Sequence, residues 1–203
     1  YTSDIIKRVV ATFDFDGTIT RKDTLLEFIK FVKGAPALYG GLLWYAPLLV
    51  AYKLRLYPNW KVKQKFFSYF FKGMSYDDFC HWGECFADTV DRMIKHSVFQ
   101  KLLQHQRQGD TVYIVSASVK EWVLPWARKA GISHVIATEV EVDEDGRLTG
   151  RFASRNCYGQ EKVNRFLAEE PRRESYYLYA YGDSRGDRYM LDLADRAIWC
   201  KKM

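Results

Sequence analysis

The segment RVVATFDFDGT, residues 8–18, decides how the rest of the chain is read. Val9 to Phe13 are the β-branched, small and aromatic residues of a buried strand, and the run ends on two carboxylates, Asp14 and Asp16, followed by Gly17. Strand alternation puts Asp14 and Asp16 on one side of the extended chain, about 7 Å apart. Carboxylates so close repel unless a proton or a cation separates them. Gly17 suits a tight turn with close backbone approach, and the backbone N–H groups at Phe15 and after Asp16 are candidate anion donors. Taken alone, a D-x-D also fits a capping turn or a surface calcium patch.

Downstream, the apolar period shifts from 2 toward 3.6. KDTLLEFIKFV (22–32), NWKVKQKFFSYFFKG (59–73) and SYDDFCHWGECFADTVDRMI (75–94) predict helices. Asp23 or Thr24, Asn59 and Ser75 are their candidate N-caps, and Gly73 is a candidate stop. Strands return after residue 95. FQKLLQHQRQG (99–109) predicts a helix and DTVYIVSAS (110–118) a strand covered on both faces. VKEWVLPWARKAG (119–131) predicts a helix broken near Pro125, and VIATEVEVDEDGRLTGRF (135–152) contains a hairpin turn. A helix (159–170), a strand (175–182), a helix (185–194) and a strand (196–200) close the chain. Alternating strands and helices predict an α/β fold: a three-layer, Rossmann-like core with a parallel sheet, at 1–21 and 96–203, carrying an inserted α-helical cap at 22–95.

In such sheets ligands bind beyond the carboxyl ends of the strands. The first strand ends in Asp14 and Asp16, the second in Ser116, and the strand at 175–182 in GDSRGD with Asp183 and Asp187. Lys162 stands near the start of a helix. Singly, Ser116 is an ordinary strand-end serine and Lys162 a solvated lysine. Together, in this order, they form an anion site with a hard divalent cation, which favours phosphoryl transfer through a carboxylate nucleophile.

The chain of 203 residues carries a formal charge of +6, from scattered basic residues that disfavour nucleic acid as a partner. Its four cysteines lack zinc-site spacing and its four histidines form no H-E-x-x-H pattern. Cysteine usage this sparse fits a reducing, cytoplasmic setting, and no basic leader followed by an apolar run opens the sequence. The 19 residues from Gly34 to Tyr52 are uncharged, contain Pro36 and Pro47, and are flanked by Lys30, Lys33, Lys53 and Arg55. Three readings apply: helices packed within the cap or a dimer surface, a peripheral contact with the inner face of a membrane, or a membrane span.

The chain resembles the haloacid dehalogenase-like superfamily, in its phosphoserine-phosphatase-like branch (subfamily IB) with a C1-type helical cap. DFDGT at Asp14–Thr18, VYIVSAS with Ser116, Lys162, and GDSRGD with Asp183 and Asp187 match the four family motifs in order. The resemblance implies that Asp14 is the nucleophile forming an aspartyl-phosphate, and that Asp16 is the general acid and base. It implies that Asp14, Asp183 and the Asp16 backbone carbonyl ligate Mg²⁺, with Asp187 orienting the metal shell or Lys162. Ser116, Lys162 and the backbone at Phe15 and Gly17 would bind phosphate. The expected substrate is a phosphorylated small molecule or a lipid headgroup, the latter by similarity to phosphatidylglycerophosphatase C. Alternatives are phosphoserine itself, transfer to an acceptor other than water, and a non-enzymatic scaffold. For substrate selection the resemblance points to Asp23 where phosphoserine phosphatases carry a glutamate. Phe67 falls where they carry a cap arginine, with Lys63 and Lys65 nearby.

Overall fold

The computed structural model describes residues 7–54 and 56–200; Arg55, expected beside the uncharged stretch, lies outside the described residues. Strand β1 (Arg8–Phe13) is the centre of a five-stranded sheet. With β2 (Thr111–Val119), β3 (His134–Thr138), β6 (Tyr176–Gly182) and β7 (Arg196–Trp199) it forms the order β3-β2-β1-β6-β7, every pair parallel. Alternate residues feed two separate cores. Ala11, Phe13, Val112 and Ile114 join the larger one, while Val10, Tyr113 and Val115 point to the other face. That second core is closed by Val163 and Phe166 of α8 (Gln160–Glu169) and Met190 of α9 (Arg188–Leu193). Burial on both faces is why these strands are nearly continuous in apolar residues.

Between β1 and α6 (His96–Arg107) five helices form the cap: α1 (Thr24–Lys33), α2 (Ala35–Trp44), α3 (Ala46–Lys53), α4 (Asn59–Phe71) and α5 (Tyr76–Asp91). Asp23 is the α1 cap, its Oδ1 accepting from Leu26 N at 3.1 Å, whereas Thr24 is buried inside the first turn. At α4 the expected cap, Asn59, is instead the first helical residue; extended Pro58 precedes it and fixes the turn. Phe66, Phe67, Phe70 and Phe71 of α4 are buried in the cap core, with Tyr69 among them exposed. The uncharged stretch becomes two short helices because Pro36 and Pro47 each sit in a first turn, where a missing N–H costs little. The pair bends by 63° at the break, and among the described residues no single helix is long and apolar enough to cross a membrane.

Helix α7 (Lys120–Lys129) runs unbroken through Pro125, contrary to the expected break. Pro125 deprives the Glu121 carbonyl of its i+4 donor, and that carbonyl packs against Gly83 of α5, where a Cβ would lie 2.1 Å from it. Strands β4 (Val140–Val142) and β5 (Leu148–Phe152) form the expected hairpin, with Asp143 Oδ1 accepting from Asp145 N and Arg147 N across its turn. The α4–α5 connection lies alongside: Gly73 N donates to Leu148 O at 2.7 Å, Leu148 N to Met74 O at 2.9 Å, and Tyr76 N to Gly146 O at 2.9 Å.

Candidate active site

A cavity of about 690 Å³ opens over the carboxyl ends of β1, β2 and β6, beneath α1 to α4. Asp14, Asp16, Ser116, Lys162 and Asp187 line its floor. The chain leaves β1 through a turn that only glycine permits: Gly17 has φ +83°, and a Cβ there would lie 2.4 Å from Asp183 Oδ2. Thr20 N bonds back to Phe15 O at 2.9 Å, and the Lys95 ammonium donates to Gly17 O, so the turn is tied down from both sides. The Phe15 side chain is buried against Trp126.

The two motif aspartates have different partners. Asp14 Oδ1 accepts from Lys162 Nζ at 2.5 Å, and the same ammonium donates to Asp187 Oδ1 at 2.6 Å and to the Val115 carbonyl at 2.8 Å. Lys162 is 2% exposed and spends all three protons inside the protein. Asp187 Oδ2 accepts from Asp183 N, Ser184 N and the Ser184 hydroxyl, which fixes the GDSRGD turn. Asp16 turns the other way. Its Oδ1 accepts from Thr24 N at 3.1 Å and Thr24 Oγ1 at 2.6 Å, and its Oδ2 accepts from the Ser118 hydroxyl.

Burial pushes Asp14 up to about 7, with Asp187 and Asp16 adding repulsion against the pull of Lys162. Burial likewise raises Asp16 to about 6, with Asp23 adding to it and the Ser118 and Thr24 hydrogen bonds opposing. Burial also disfavours the charges on Lys162 and Asp187, yet their mutual attraction prevails: Lys162 is held above the usual lysine range and Asp187 below the usual carboxylate range.

One oxygen from each of Asp14, Asp183 and Asp187 lies within 4.8 Å of the others. This all-carboxylate set suits a hard divalent cation such as Mg²⁺, and the missing side chain of Gly17 keeps the space beside Asp183 open. Asp187 stands in the same grouping, with its Oδ1 already accepting from Lys162 and its Oδ2 from the GDSRGD turn. The Asp16 carboxylate, by contrast, is directed at Thr24 and Ser118.

Ser116 Oγ accepts from Ser118 N at 3.0 Å, leaving its hydroxyl proton for the cavity. Of the four selectivity candidates, Asp23 and Lys63 line the cavity. Lys63 reaches from α4 to donate to the Ala117 carbonyl at the end of β2, and burial pushes it below the usual lysine range against the pull of Asp16 and Asp23. Lys65 is exposed, its ammonium 5.4 Å from the Tyr57 ring centroid, and Phe67 packs in the cap core against Phe71, Phe79 and Phe152. Two residues with direct contacts to Asp16 were not anticipated: Ser118, two positions from Ser116 on the same strand, and Thr24, the other α1 cap candidate. The i, i+2 spacing of the serines was the available signal for the first.

A family model for haloacid dehalogenase-like hydrolases matches residues 11–192. The protein CicA of Caulobacter vibrioides is 34% identical over 191 residues, covering 92% of this chain and 83% of CicA. A probable phosphatase of Mycobacterium tuberculosis is 36% identical over 116 residues, or 56% of this chain and 40% of that protein. Among solved structures, a Bordetella pertussis protein of unknown function superposes with a TM-score of 0.81 at 24% identity, covering 95% of this chain and 90% of that one. A phosphoserine phosphatase in a phospho-aspartyl intermediate analogue state superposes with a TM-score of 0.66 at 19% identity, covering 97% of this chain and 88% of that one. With the motifs assembled at one end of the sheet, the chain belongs to the haloacid dehalogenase-like hydrolase family.

Proposed function

We propose that the protein hydrolyses phosphomonoesters through an aspartyl-phosphate on Asp14, the substrate being a phosphorylated small molecule or a lipid headgroup. The observation that carries this reading is the divergence of the two motif aspartates within one cavity: Asp14 beside Lys162 and the carboxylate cluster, Asp16 held apart by Thr24 and Ser118. A carboxylate oxygen of Asp14 attacks phosphorus, and the bond from phosphorus to the alcohol oxygen breaks. Asp16 gives its proton to that leaving oxygen. The Asp16 carboxylate then takes a proton from water, whose oxygen attacks phosphorus; the bond to Asp14 breaks, returning its carboxylate and releasing phosphate. Ser116 and the N–H groups of the 15–17 turn bind the phosphoryl oxygens, and Lys162 joins them by turning toward the phosphoryl group the proton it gives Asp14. Asp14, Asp183 and the Asp16 carbonyl, with Asp187 adjoining, would hold Mg²⁺, which when bound would supply positive charge for the phosphoryl oxygens and the carboxylates.

In this reading Asp14→Asn abolishes turnover with the fold intact. Asp16→Asn, rapidly quenched, retains a hydroxylamine-sensitive phosphoryl group on the protein. Near-full Mg²⁺-dependent turnover by Asp14→Asn refutes it. Acceptor-dependent product formation separates a phosphotransferase from a hydrolase. Phosphoserine as substrate draws on Asp23 and Lys63, which offer opposite charges on the cavity wall.

A further inference from the structure

The roof of the active-site cavity and the most exposed apolar surface of the cap are two sides of the same helix pair. Gly41 seats α2 on α4, where a Cβ would lie 2.4 Å from the Phe70 ring, and Leu38 one turn earlier is buried. Tyr45, at the bend, packs edge-on against Phe66 and Tyr69. With the pair so seated, Leu42, Leu49 and Tyr52 line the cavity, continuing an apolar wall from Leu25, Leu26 and Phe66. The cavity therefore has a charged floor and an apolar roof. On the outside the same helices expose Leu43 (79%), Trp44 (75%) and Val50, and the surface runs on through Leu54 to Leu56 (76%).

Charge is distributed just as unevenly. Between Phe28 and Tyr76 there are eight lysines and arginines and no aspartate or glutamate, while the rest of the chain holds 23 basic against 25 acidic residues. That segment, from the body of α1 to the start of α5, thus carries +8, and the remainder of the chain −2. Lys30, Lys33, Lys53 and Lys61 are exposed, and Lys53, at the end of α3, also reaches the cavity lining. A cationic rim around bulky apolar side chains is the composition of an element that lies in the interface of an anionic bilayer. A second copy of the same cationic face would be repelled, and nucleic acid offers nothing for Leu43, Trp44 and Leu56.

We propose that α2 and α3 dock on an anionic bilayer and that the enzyme takes an amphiphilic phosphomonoester from it, with the phosphate on the Asp14 floor and the apolar chain along Leu42 and Leu49. The substrate half rests on the phosphomonoesterase reading above; the docking half does not.

The test uses the full chain, vesicles of phosphatidylcholine with and without phosphatidylglycerol, and three esters: p-nitrophenyl phosphate, glycerol phosphate and lysophosphatidate. The protein is expected to sediment with the anionic vesicles only, less so at high salt. Leu43→Glu with Trp44→Glu removes that binding and leaves p-nitrophenyl phosphate hydrolysis unchanged. The chain-bearing ester should exceed glycerol phosphate in kcat/KM by about tenfold or more, and Leu49→Glu should erase the difference. Absence of vesicle binding, or equal binding to neutral vesicles, overturns the docking. Equal use of glycerol phosphate and lysophosphatidate overturns the substrate class. Failure to hydrolyse any of the three esters, with vesicle binding intact, overturns the phosphomonoesterase reading while docking stands.

Discussion

Replacing Thr24 with valine keeps its shape and deletes one hydroxyl on which three groups converge. Thr24 Oγ1 donates to Asp16 Oδ1 at 2.6 Å, accepts from Trp122 Nε1 at 3.0 Å, and lies 3.2 Å from the Ser118 hydroxyl. Thr24 and Trp122 are both fully buried, so water does not replace the lost partner. Loss of a hydrogen bond to a charged group costs about 1.5–3 kcal/mol, and an orphaned buried indole N–H about 1–3 kcal/mol. The two effects overlap at one atom, so a combined cost of about 3 kcal/mol is expected, which for a chain of this size lowers Tm by about 6–12 °C. Asp16 keeps Thr24 N and Ser118, so it stays in the cavity but loses one constraint on its direction. With Asp16 as the proposed general acid, such loosening should slow turnover by about 10- to 100-fold, mostly in kcat. The assay is Mg²⁺-dependent phosphate release from a soluble ester, run beside a thermal melt, with Thr24→Ser as the rescue that returns the hydroxyl. Thr24→Val turnover within about threefold of the parent, with an unchanged Tm, would show that Asp16 is oriented by something else.

Gly17→Ala forces a side chain into positive φ and against Asp183, so activity should fall at least about tenfold and the Mg²⁺ concentration for half-maximal rate should rise, read by metal titration. Gly83→Ala drives a methyl into the Glu121 carbonyl; overpacking of about 1–3 kcal/mol against a propensity gain of up to about 1 kcal/mol predicts a Tm lowered by a few degrees. Chelation should abolish phosphate release and added Mg²⁺ restore it, whereas Asp183→Asn should need far more Mg²⁺ for the same rate.

The strand that carries Asp14 and Asp16 was legible because its residues serve two buried faces and then stop at polar groups. The floor of the site followed from that, since a parallel sheet gathers its carboxyl ends and each brings its own motif. What the chain did not disclose are contacts made by residues whose local roles hide their distant ones. Thr24 stands where a cap belongs, yet Asp23 caps the helix and Thr24 serves Asp16. Pro125 signals a break that tertiary packing overrides, because Gly83 of another helix receives the displaced carbonyl. Lys63 and Lys65 are both cap lysines near the expected selectivity helix, but two residues of helical turn separate a cavity wall from a surface ring contact. The fate of the uncharged stretch was open because helix packing and interfacial exposure demand the same apolar residues; the bend at Tyr45 lets one segment bury Leu38 and Gly41 while exposing Leu43 and Trp44.

The hydrogen bonds from the α4–α5 connection to the β4–β5 hairpin constrain how the enzyme opens. Chains joined at two points can hinge; a third seam, made by Gly73, Met74 and Tyr76 on Gly146 and Leu148, turns the hinge into a weld. A rigid swing of the whole cap would tear that seam and part α5 from α7. Opening for substrate is therefore expected at the more lightly packed end of the cap, in α2 and α3. Amide exchange should register this as slow protection at Leu148 and along α5, alongside fast exchange in α3, within one folded molecule.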